Sequence, residues 1–160
     1  MPRMDTEPMN TRRRNLLTFA ASAVTLGAAG LVKVRDAIAA PWNKPAFESR
    51  AVNETLKGLG AANMIESRDI AITAPDIAEN GAVVPVAITS KIPNTQSISV
   101  IAEKNPFPLA ATFDIANGAE PYASVRIKMG ETSNVRAVVK ADGKFYTAVK
   151  EVKVTVGGCG

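Results

Sequence analysis

The sequence contains no histidine. That removes the side chain most often used as a general base and metal ligand near neutral pH. It also removes any Ser-His-Asp or Cys-His site built within the chain. Cysteine occurs once, at Cys159. One thiol can close neither an internal disulfide framework nor a zinc cluster. No Gly-rich loop leads into a helix, so nothing supports nucleotide binding. Excess charge is missing where a partner would feel it. The formal charge is +4, but six of the 19 Lys/Arg and three of the 15 Asp/Glu fall in residues 1–40, leaving 13 against 12 beyond them. A nearly neutral body argues against nucleic-acid binding through a basic face.

Residues 1–40 read as an address. Arg12, Arg13 and Arg14 precede an uncharged stretch from Leu16 to Val32, rich in Ala, Gly, Ser and Thr, and Ala37-Ile38-Ala39 follows. A basic region, an apolar region and an A-x-A site in that order make a secretory signal peptide. Paired arginines before a weakly hydrophobic stretch match the twin-arginine type, and Lys33 and Arg35 near the cleavage site fit it too. As a helix the stretch reaches about 25 Å, short of a bilayer core of about 30 Å. The expectation is therefore cleavage after Ala39 or Ala40 and a folded periplasmic protein starting near Pro41, with no membrane attachment. The twin-arginine route also suggests export alongside a partner.

Residues 41–156 are expected to form one domain. Apolar residues at 47, 51, 52, 56 and 59 predict one amphipathic helix over Phe47–Leu59, ended by Gly58 and Gly60. Strand signals follow to the end. Asn80-Gly81 predicts a hairpin between Ile70–Ala78 and Val83–Thr89, and Asp142-Gly143 a second between Val135–Ala141 and Lys144–Val149. Ser97–Ala102 and Leu109–Ile115 flank the rigid turn Asn105-Pro106-Phe107-Pro108. Pro85 cannot donate to a ladder, which predicts an edge strand or a bulge there. Val125–Met129 alternates, with Arg126 and Lys128 as the wet face. About seven short strands with frequent turns predict a mainly β fold, an immunoglobulin-like antiparallel β-sandwich with a short N-terminal helix.

The chemistry is concentrated in the tail. The final strand alternates Val152, Val154 and Val156 with Lys153 and Thr155, then ends Gly157-Gly158-Cys159-Gly160. A structural free cysteine is usually buried as a small hydrophobe. Here the neighbouring glycines offer nothing to pack against. Glycine gives widest backbone freedom and least bulk, so residues 157–160 form an arm of about 13 Å that can carry a sulfur into another protein's cleft. The thiolate is the reactive form. No neighbouring residue favours it and the terminal carboxylate opposes it, so activation is expected from a partner. A lone exported thiol also fits an interaction module that dimerises through an intermolecular disulfide. An enzyme would have to use carboxylates alone, and Asp76, Glu79 and Asp114 read better as solvated loop charges.

Several stretches together resemble one family. Val152–Gly160 is similar to the end of SoxY, the sulfur-carrier subunit of the bacterial thiosulfate-oxidising Sox system. Ile77–Val86, Asn105–Phe113 and Arg126–Ser133 resemble further stretches of that family, in the same order. The resemblance implies a non-catalytic carrier with no cofactor of its own, paired with a SoxZ-like β-sandwich subunit. Cys159 would be the covalent attachment site, and Gly157, Gly158 and Gly160 the arm. A haem c transferase would join thiosulfate to the thiol as an S-thiosulfonate. A metal-dependent hydrolase would release sulfate and leave a persulfide. In some organisms a molybdenum and haem sulfane dehydrogenase would act next. The family tail usually reads Gly-Gly-Cys-Gly-Gly, and this sequence has one glycine fewer.

Overall fold

The structure, a computed structural model, describes residues 42–116 and 118–155. It begins with two short helices, α1 (Lys44–Glu48) and α2 (Val52–Gly58). The single helix expected over 47–59 is thus two. Asn43 caps α1 with its side-chain oxygen accepting from the Ala46 N–H. The Ser49 hydroxyl then donates to the Ala46 carbonyl at 3.0 Å and Ser49 turns extended, so the first helix stops. The second restarts at Val52. The two pack closely, because a Cβ on Gly58 would lie 2.8 Å from the Ala46 backbone.

Among the described residues nine strands follow: β1 (Ile65–Glu66), β2 (Ile70–Thr73), β3 (Ile77–Ala78), β4 (Val84–Ser90), β5 (Thr95–Ala102), β6 (Leu109–Asp114), β7 (Tyr122–Ile127), β8 (Ser133–Ala141) and β9 (Lys144–Val154). They form a two-sheet sandwich, as the turn spacing predicts. The larger sheet runs β1-β9-β8-β5-β6, with β3 also on β9, and the smaller runs β2-β4-β7. The core between them includes Val84, Val86 and Ile88 from one sheet and Ile98, Val100, Val135, Val139 and Val152 from the other. A second cluster lies on the outer face of the larger sheet, where the helices cover Ile101, Leu109 and Val138 with Ala46 and Leu56.

The Asp142-Gly143 turn joins β8 to β9 as expected. Both residues have positive φ, at 49° and 72°, the conformation a two-residue hairpin with the strands' own twist requires. Asn80-Gly81 does not make such a turn. β2 and β4 are antiparallel neighbours, with Thr73 opposite Ala87. Between them the chain crosses to the larger sheet, where β3 lies parallel to β9 (Ile77 opposite Lys153). β1 also runs parallel to β9, with Ile65 opposite Tyr146. β1 and β3 are thus two pieces of one interrupted edge strand, and the segment between them visits the other sheet.

Pro85 gives a second departure. β4 is the middle strand of its sheet, not an edge. Its pairing with β2 ends at Ala87 while its pairing with β7 continues to Val84. At Pro85 the β2 side is therefore unpartnered, and the missing donor costs no ladder bond. The alternation over Val125–Met129 holds, through the end of β7 and just past it: Ile127 and Met129 are buried, and Arg126 and Lys128 are exposed.

Candidate functional site: the root of the C-terminal arm

The residues singled out for chemistry, Gly157, Gly158, Cys159 and Gly160, lie outside the described residues. The strand that leads to them is described to Thr155, and its last residues are held from both sides. The N–H groups of Lys153 and Thr155 donate to the carbonyls of Asp76 and Ala78, at 3.0 and 3.1 Å. On the opposite side β8 begins only at Ser133, opposite Val152. The Val154 N–H faces that side, and the Thr132 hydroxyl accepts it at 2.9 Å. A side chain takes over where the backbone ladder stops. The Thr155 hydroxyl donates to the Glu79 carbonyl at 3.3 Å. Cys159 is four residues beyond this point in the sequence.

Three connections gather round this root. The β3–β4 connection meets the β7–β8 connection where the Met129 N–H donates to the Gly81 carbonyl at 2.7 Å. The β5–β6 connection meets it where Asn105 Nδ2 donates to the Lys128 carbonyl at 2.6 Å. The Lys104 N–H also donates to Ser133 Oγ at 3.0 Å, and Lys104 Nζ lies 3.8 Å from a Glu131 carboxylate oxygen. Asn80 Oδ1 accepts from the Ala82 N–H at 2.8 Å, which fixes the first connection from within. Hydrogen bonds thus link segments distant in sequence, such as Thr155 and Ala78, into one collar.

The four stretches that carry the family resemblance converge here. Ile77–Val86 supplies β3 and the first connection, Asn105–Phe113 the loop before β6, Arg126–Ser133 the third connection, and Val152 onward the root itself. Nothing in the sequence pattern marks Ala78, Glu79 and Thr132 as the residues that hold the tail, because each bond joins residues distant in sequence. A polar residue just before β8 is the only local hint.

The three carboxylates weighed for catalysis do not assemble. Asp76 pairs with Lys150 Nζ at 3.0 Å and is otherwise exposed. Glu79 contributes its backbone carbonyl to the collar. Asp114 closes β6 opposite Ser97, at the other end of the sandwich. Among the described residues no group of three His, Cys, Asp or Glu side chains is placed to hold a metal ion.

Comparison with known proteins accords with this geometry. The family model described as sulfur oxidation protein SoxY matches residues 56–159. The solved structure of the sulfur carrier protein SoxY from Chlorobium limicola f thiosulfatophilum is similar, at 39% identity and a TM-score of 0.61, over 71% of this chain and 99% of that one. A superoxide reductase (neelaredoxin) from Ignicoccus hospitalis matches at 21% identity and a TM-score of 0.47, over 53% of this chain and 78% of that one, a likeness too low to bear on function. No curated protein matches. By the extent of the family match and the identity to the solved carrier, the chain belongs to the SoxY family of sulfur-oxidation carrier proteins.

Proposed function

We propose that the chain is a periplasmic carrier of thiosulfate-oxidation intermediates, held covalently on Cys159. Residues 1–40 act as a twin-arginine signal peptide removed on export. Residues 41–156 are the carrier domain, and Gly157, Gly158 and Gly160 give the arm its freedom. The carrier pairs with a SoxZ-like subunit. A haem c transferase loads thiosulfate as an S-thiosulfonate, a hydrolase releases sulfate, and a sulfane dehydrogenase acts on the remaining persulfide where present. The chain itself performs no catalytic step.

One observation carries this reading. The only cysteine follows directly on a strand end tied down from both sides, with only glycine between Val156 and the thiol. A firm root and a glycine segment suit a carrier, which must present one sulfur atom to several enzymes without moving its body. Family membership supports the sulfur-oxidation role.

The test is thiosulfate-dependent sulfate release by a reconstituted periplasmic fraction, with the wild-type chain or the Cys159→Ala variant as sole carrier. The variant is expected to support none. Sulfate release equal to wild type would remove the carrier role from Cys159.

A further inference from the structure

The Asn80-Gly81 pair is not used for the hairpin turn that its sequence suits. Among the described residues the non-glycine positions with positive φ are Asn94 and Asp142, and the glycines are Gly60, Gly118 and Gly143. Positive φ therefore does not account for the pair. Asparagine followed by glycine also has a reaction of its own. The backbone nitrogen after the asparagine attacks the side-chain carbonyl carbon, and a glycine there leaves that nitrogen unshielded because it has no Cβ.

The local geometry favours this reaction at Asn80. The residue is exposed, so water reaches it as proton carrier and as reactant. Asn80 Oδ1 accepts from the Ala82 N–H at 2.8 Å. The side chain thus spans Gly81 and is held beside the peptide that must attack it. The same N–H meets the negative charge that develops on Oδ1 as the nitrogen adds.

The pair also stands in the clasp on the arm's root. On the N-terminal side of Asn80, the Ala78 and Glu79 carbonyls accept from the Thr155 N–H and hydroxyl, at 3.1 and 3.3 Å. On its C-terminal side the Gly81 carbonyl accepts from the Met129 N–H at 2.7 Å. Met129 is fully buried in the core, so this second anchor is fixed.

We propose that Asn80 is a deamidation site of the folded protein and that its isoaspartate product loosens the arm's root. Gly81 N bonds to Asn80 Cγ, the Cγ–Nδ2 bond breaks, and the proton from Gly81 N is relayed through water to the departing ammonia. Water then opens the succinimide. Opening at the main-chain carbonyl leaves the chain running through Cβ and Cγ, one carbon longer, as isoaspartate. Opening at the other carbonyl gives aspartate on the original main chain. Both products carry a new negative charge, but only isoaspartate lengthens the chain between the Thr155 anchors and the Met129 anchor. The two sets of bonds then cannot both keep their lengths. This modification stands whether or not Cys159 carries sulfur.

The test incubates the mature protein without denaturant at mildly alkaline pH and follows tryptic peptide 69–91, in which Asn80 is the single asparagine. Isoaspartate in that peptide is read by methylation with an isoaspartyl methyltransferase. The peptide is expected to convert, with isoaspartate exceeding aspartate. In the converted fraction the amide of Thr155, of Met129 or of both is expected to exchange about five- to tenfold faster, as for the loss of one hydrogen bond. Asn80→Asp keeps the acceptor for the Ala82 N–H and adds the charge on an unaltered main chain. Its exchange at both amides is expected to stay within about twofold of wild type. Conversion that begins only in urea overturns the site. Conversion with unchanged exchange at both amides overturns the loosening. Equal acceleration in Asn80→Asp overturns it too, since charge and not the longer chain is then the cause.

Discussion

Replacing Thr132 by valine isolates the bond that ends the sheet ladder under the arm. The two side chains have nearly the same shape, so packing is largely kept while the hydroxyl is lost. The Val154 N–H, which the Thr132 hydroxyl accepts at 2.9 Å, then has no acceptor on that side. A hydrogen bond of this kind contributes about 0.5–1.5 kcal/mol net. Val154 is only partly buried, so water can replace some of it, and about 1 kcal/mol is the expected loss. For a domain of this size that lowers Tm by roughly 3–6 °C. The informative assay is amide hydrogen exchange by NMR. The Val154 amide is expected to exchange about five- to tenfold faster, an effect that exceeds any change at Val152, which lies opposite Ser133 within the ladder. Thr155, tied to Ala78 on the other side, is expected to follow Val154 in part. Unchanged exchange at Val154 would mean that Thr132 does not hold the strand end. Equal acceleration at Val152 and Val154 would mean a global loss, and the local account would be wrong.

Further substitutions test other contacts. Gly58→Ala should raise helix propensity by about 1 kcal/mol, yet its Cβ would lie 2.8 Å from the Ala46 backbone. Overpacking of that kind costs about 1–3 kcal/mol, so thermal unfolding should show a net loss; a rise in Tm would contradict the close approach of the two helices. Lys150 Nζ donates to the Ala74 carbonyl at 2.6 Å and to Asp76 at 3.0 Å, but the Asp76 side chain is 89% exposed. Urea unfolding should therefore register Asp76→Asn within about 0.5 kcal/mol of wild type, and Lys150→Met a loss of about 1 kcal/mol through the carbonyl left without its donor. Equal losses would give the ion pair, not the carbonyl bond, the larger role.

What the sequence made legible follows the range of the interactions involved. The Asp142-Gly143 hairpin was readable because both residues tolerate positive φ and the strands they join are adjacent in sequence. The alternation in β7 was readable because each face has its own solvent. Asn80-Gly81 carried the same signal and misled. Of the segments it was expected to join, β2 does pair with β4, but the residues next to the turn do not, because β3 finds its partner on β9, with Ile77 opposite the distant Lys153. Pro85 misled for a related reason, since no local pattern shows where β2 stops. The break between α1 and α2 lies in the Ser49 hydroxyl's competition for a carbonyl, which apolar spacing does not register. The cysteine and its glycines were visible at once because their meaning is compositional. The collar was invisible, being made of bonds between segments distant in sequence, although the stretches that form it are the ones that carry the family resemblance.

The most direct measurement of the central claim is the intact mass of the mature protein after incubation with thiosulfate and an active periplasmic extract, with and without reductant. The account predicts a reductant-labile mass increment on the monomer, mapped to Cys159 and absent from Cys159→Ala. Unmodified monomer and disulfide dimer alone would contradict it and leave Cys159 as a link between two copies of the chain.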